Sequence, residues 1–107
     1  MTAPPADTTR PVLAGRDLRY LLAIELAEGG PMTTADLVAA VDRGGFALHG
    51  RPSKAVADAI RWEVARGRIV RLGRARYGPG HLPKTTAWRM RQRLRDLGAA
   101  PTRRRSW

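Results

Sequence analysis

Apolar residues recur along this chain at helical spacing in four stretches and alternate with arginine in one. Leu18, Leu21, Leu22 and Leu26 mark the first helix, from about Arg16 to Glu28, which Gly29-Gly30-Pro31 ends sharply. Met32 and its neighbours are too few for a strand alone but enough for a brief edge segment. A second helix opens at Thr33 or Thr34, where Thr33 and Asp36 form a capping box with Asp in place of the usual Glu. Leu37, Val38 and Val41 make its inward stripe, and Arg43-Gly44-Gly45 closes it. From Gly44 to Pro52 the chain reads as a loop, with Phe46 and Leu48 plugging the core.

The third helix has the clearest limits. Ser53 after Pro52 is the expected N-cap, and Gly67 after Arg66 is the stop. At 100° per residue Val56, Ile60 and Val64 fall inward with Ala57 and Ala59, while Lys54, Asp58, Arg61, Trp62 and Ala65 fall outward. Arg68 to Gly78 reads as a β-hairpin turning at Gly73-Arg74, glycine first, which sets Val70 opposite Tyr77 and Arg71 opposite Arg76. Two arginines so placed repel, and an external anion would relieve them. Gly78-Pro79-Gly80 breaks the strand. Lys84-Thr85-Thr86 then leads into a fourth helix ending at Gly98. Its stripe of Ala87, Met90, Leu94 and Leu97 either covers the core or pairs with a symmetry mate.

These elements divide the chain into a disordered lead (1–14), a folded domain (15–80), a closing or dimerising helix (81–99) and a basic tail (100–107). The class is mainly α with a small β-hairpin, an α+β domain of 107 residues with a modest aliphatic core.

Charge then separates the two halves. Residues 1–50 carry four arginines against six acids, a net of −2, and residues 51–107 carry sixteen cations against Asp58, Glu63 and Asp96, a net of +13. Only Lys54 and Lys84 among the 20 cations are lysine, a preference that codon bias explains. Codon bias does not explain the asymmetry, which presents cations to a polyanion such as nucleic acid.

Three short helices followed at once by an arginine-rich hairpin resemble the winged-helix branch of the helix-turn-helix class over about Arg16 to Gly78. The segment from Ala59 to Tyr77 carries the resemblance most specifically: a helix ending in Arg-Gly, an aliphatic strand, a glycine turn and a return strand ending in Tyr. The Gly44–Pro52 connection is longer than the tight turn of the simplest members. The resemblance implies a DNA-binding protein, a transcriptional regulator or nucleoid-associated protein, with its third helix in the major groove of double-stranded DNA. Lys54, Asp58, Arg61 and Trp62 would face that groove, and Arg51 and the helix start at Ser53 would meet phosphate. Arg71, Arg74 and Arg76 would be wing contacts on the backbone or in the minor groove. Lys84 and Arg89 of the last helix complete the candidate DNA-binding set. Trp62 alternatively packs on the fourth helix or the wing, and Arg103–Arg105 form a phosphate arm or a solubilising tail.

No catalytic constellation is visible, so the chain reads as a non-enzyme without a cofactor. There is no cysteine, which excludes disulfides and thiolate zinc sites, and His49 and His81 stand alone in loops. No apolar run has the length of a membrane span, so the expected setting is cytoplasmic, at the nucleoid, with a homodimer through the last helix as a further expectation. Two rival functions remain open: binding of structured RNA or ribosomes, and docking of an acidic protein.

Overall fold

The computed structural model describes the backbone of residues 10–105 and the side chains of residues 10–97. In chain order the elements are β1 (Val12–Leu13), α1 (Gly15–Gly29), β2 (Met32–Thr33), α2 (Thr34–Arg43), β3 (Ala47–Leu48), α3 (Pro52–Ala65), β4 (Ile69–Gly73), β5 (Arg76–Pro79) and α4 (Lys84–Arg105). Among the described residues this is a small α+β domain of four helices and one antiparallel three-stranded sheet, in the order β2-β5-β4. A parallel bridge between β1 and β3 stands apart from that sheet.

The core assembles on α1. Its Leu18, Leu21, Leu22 and Leu26 pack with Leu37 and Val41 of α2, Val56, Ala59 and Ile60 of α3, Ile69 of β4, and Leu13 and Phe46 from the flanking segments. Tyr20, Ala23 and Ile24 of α1 pack instead against Ala87 and Met90 of α4. At 100° per residue these two faces of α1 lie about half a turn apart. Helices α3 and α4 therefore cover opposite sides of α1.

Several boundaries follow the sequence closely. Helix α1 agrees within one residue at each end, and α2 carries the expected capping box at Thr33. Phe46 is buried and Leu48 packs on the core, so the connection before α3 is held inward at two points. The short segment at Met32 pairs with β5 as an edge of the sheet.

Other expectations are corrected. The lead is ordered by Val12, because β1 pairs with β3 there; residues 1–9 lie outside those described. Helix α3 begins at Pro52 with Arg51 as its N-cap. Ser53 is thus its second residue and caps nothing, since proline already satisfies the first helical position by lacking an N–H. The inward stripe of α3 ends in Glu63 rather than Val64, which is 38% exposed. Gly98 does not end α4, which runs on to Arg105; one glycine inside a helix costs only about 1 kcal/mol relative to alanine. Residues 100–105 of the expected tail therefore continue that helix.

The hairpin differs by one residue in register. Its pairs are Ile69–Pro79, Val70–Gly78, Arg71–Tyr77 and Gly73–Arg76, with an irregularity at Leu72 and a turn at Arg74-Ala75. Arg71 and Arg76 do not oppose one another. Successive residues alternate between faces, so a one-residue slip exchanges the faces of the whole strand. The observed register sets Tyr77 on the face of Ile69, where it packs on the core beside Met32. The turn that glycine favours locally would have turned Tyr77 outward.

Candidate nucleic-acid interface

Helix α3 and the hairpin face one another across an open groove of about 380 Å³, lined by Ala57, Ile60, Arg61, Val64, Arg71 and Tyr77. Ala57 of α3 leaves room in its floor, and Arg61 of α3 and Arg71 of β4 supply its charge. No acid lines it. The register explains why Arg71 is here: opposite Tyr77, it shares the face of β4 turned towards α3.

The candidates on α3 interact with one another. Lys54 Nζ donates to Asp58 Oδ2 at 3.1 Å, and Arg61 lies 3.6 Å from Asp58 Oδ1. Asp58 thus offsets part of the helix charge and holds both cations on one exposed face. Such exposed pairs contribute little to stability, about 0.3–0.5 kcal/mol each at helical spacing, so an incoming phosphate can displace them. Arg51 is exposed at the N-cap, with Ser53 in the first turn.

Arg74 occupies the hairpin turn, exposed and without a recorded partner among the described residues. Arg76 lies on the other face of the hairpin from Arg71 and opposite Thr33, where its charge acts on Asp36. The Asp36 carboxyl is held below the ordinary carboxylate range, first by the Thr33 backbone N–H, then by the Thr33 hydroxyl, with Arg43 and Arg76 adding to the effect. The three wing arginines therefore divide between groove, tip and outer face.

Lys84 and Arg89 belong to α4, which sits across α1 from α3, and so are not part of this groove. Two other arginines of α4 are used internally. Arg91 Nε donates to Glu28 Oε2 at 2.6 Å, and Arg93 donates to both carboxylate oxygens of Asp17 at 3.0 and 3.4 Å. The apolar stripe expected either to close the domain or to dimerise is occupied within the chain: Ala87 and Met90 are buried, and Leu94 and Leu97 pack on the core. Part of the sequence asymmetry is thereby cancelled in space, since acids of the first half neutralise arginines of the second.

Sequence reasoning missed the ion cluster beneath α3. Glu63 is fully buried, held by Arg68 through bonds of 2.7 and 3.1 Å and approached by Arg19 of α1 at 3.6 Å. Its hydrogen bonds raise the already high Arg68 pKa. Arg19 and Arg66 each lie over the Trp62 ring, at 5.2 and 5.3 Å from its centroid. Trp62 lies between these two guanidinium groups and stays 55% exposed. The available signal was an acid at the i+3 position from Ile60 and i+7 from Val56, inside the apolar stripe. Among the described residues, no helix is long and apolar enough to cross a membrane. No protein-family model, curated protein or solved structure matches the chain.

Proposed function

We propose that this domain is a winged helix-turn-helix module that binds double-stranded DNA, laying α3 in the major groove and the β4–β5 hairpin on the adjoining backbone or minor groove. One observation carries the reading: Arg61 and Arg71 converge from helix and hairpin on a single acid-free groove. The order α1, β2, α2, α3, β4, β5, with β2 beside the return strand β5, supports the same reading. Arg51, Lys54 and Arg74 extend the cationic surface around the groove, whereas base discrimination falls to few side chains, Asp58 and Arg61 foremost. This composition favours backbone affinity over sequence choice and suits a regulator or nucleoid component of modest intrinsic specificity.

The test is a salt titration of binding to duplex DNA of mixed sequence, with double-stranded RNA and heparin as competitors. Five contacts, from Arg51, Lys54, Arg61, Arg71 and Arg74, give a log–log slope of about −4.5. A flat salt dependence, or preferential capture of double-stranded RNA, rejects the proposal.

A further inference from the structure

The molecule carries a second cationic surface that faces away from the first. Among its described side chains helix α4 holds five cations, Lys84, Arg89, Arg91, Arg93 and Arg95, against one acid, Asp96. Arg91 and Arg93 flank its buried stripe and reach Glu28 and Asp17 of α1. Those pairs fix which way the helix is turned. Away from α1 it presents Trp88, 59% exposed, beside exposed Arg89, with Lys84 one turn earlier. Asp96 stands two turns beyond, where its charge acts on Arg93. A lysine opening a helix whose first turn has no acid opposes the helix dipole, a local cost that an external anion removes.

We propose that this outer face of α4 binds a second duplex DNA segment, so that one monomer bridges two duplexes. The inference rests on the reading of the α3–hairpin groove as the first DNA site. Its geometric basis is the position of α1: one face packs on α3 and the opposite face on α4, so the two cationic surfaces point in opposite directions. One duplex cannot occupy both. The charge of the face selects the partner. A second copy of the chain would meet like charge, and the apolar stripe that a helix pair would use is already buried. A membrane surface would require an apolar face, and Trp88 is the only large apolar side chain exposed on the described part of α4. Phosphates meet Lys84 and Arg89, and the indole lies against the sugar–phosphate edge.

The experiment is capture of a fluorescent duplex by the full chain bound to an immobilised duplex, with light scattering on the free protein. The wild-type monomer is expected to capture the second duplex. The variant Lys84→Ala/Trp88→Ala/Arg89→Ala loses capture by about tenfold or more while binding a single duplex within about twofold of wild type. Arg89→Glu, a single exposed change, repeats the loss should the triple variant melt early. In contrast, Arg71→Ala/Arg74→Ala weakens the first binding step. Unchanged capture by both α4 variants overturns the inference, as does a wild-type protein that binds one duplex and captures no other. A protein that binds no duplex at all overturns the groove reading instead, and this inference with it.

Discussion

Glu63 and Arg68 grip each other in parallel: Nε of Arg68 donates to Oε1 at 2.7 Å and Nη2 donates to Oε2 at 3.1 Å. The pair ties the last turn of α3 to the residue that enters β4. Backbone bonds lock the same corner, from Arg68 N to Glu63 O at 3.0 Å and from Gly80 N to Arg68 O at 3.0 Å. Helix and hairpin are thus joined at a rigid corner, and the corner sets the angle at which Arg61 and Arg71 face one another.

Removing one partner of this buried pair leaves uncompensated charge. Glu63→Ala should destabilise the fold by about 3 kcal/mol, visible as a lower midpoint in urea denaturation. Replacing both partners together, Glu63→Leu with Arg68→Met, should recover part of that loss, since Arg19 then loses its anion. Equal destabilisation by the single and double variants would show that packing alone governs the corner.

The capping box gives a stability term with a definite pH window. The folded pKa of Asp36 is depressed, so its contribution is complete above the ordinary value of 3.8 and is lost as pH falls towards the folded value. Melting temperature should therefore decline on acidification below about pH 4, and less so in Asp36→Asn. Thr33→Ala should cost about 1 kcal/mol at neutral pH through loss of the cap. An Asp36→Asn protein with the same acid profile as wild type would remove the box from that decline.

The hairpin register separates arginines that composition treats alike. Arg71→Ala should weaken binding to all DNA sequences and reduce the salt slope by about 1, without lowering the melting temperature. Arg76→Ala, on the outer face beside α2, should do less to binding. The reverse ranking in a fluorescence anisotropy titration would reject the groove as the seat of contact.

The two apolar residues of α3 that share a sequence stripe should behave differently. Ile60→Ala empties a fully packed site and should cost about 2–5 kcal/mol, whereas Val64→Ala on the groove rim should cost less than about 1 kcal/mol. Comparable losses in thermal denaturation would contradict the observed burial.

What the residues revealed beforehand follows the range of the forces involved. Local signals sufficed for α1 and for the Thr33 cap, because periodicity, capping and glycine stops act within a few residues. They also sufficed for the inward plug of Phe46. Turn chemistry misled at Gly73-Arg74, since the preference for glycine there gave way to the placement of Tyr77, which depends on Met32 some forty-five residues away. Glu63 looked like an ordinary helix acid until Arg19 and Arg68 surrounded it. Arg91 and Arg93 entered the sequence reading only through the +13 of the second half, and their anions arrive from α1. The groove was legible in kind, as helix plus arginine-rich hairpin, but its membership depended on a register no local rule supplies.

The hairpin turn has one more connection. Ala75 sits at φ 51°, a left-handed conformation unusual for a residue with a side chain, and its carbonyl accepts the N–H of Thr34, the first residue of α2, at 3.1 Å. Beside it Arg76 pairs with Thr33. The arginine-bearing loop is therefore clamped to the start of a helix instead of swinging from two strands. If the proposed duplex binds here, much of the backbone ordering that a loose arm would undergo is already complete in the free protein, and mainly side-chain freedom would be lost.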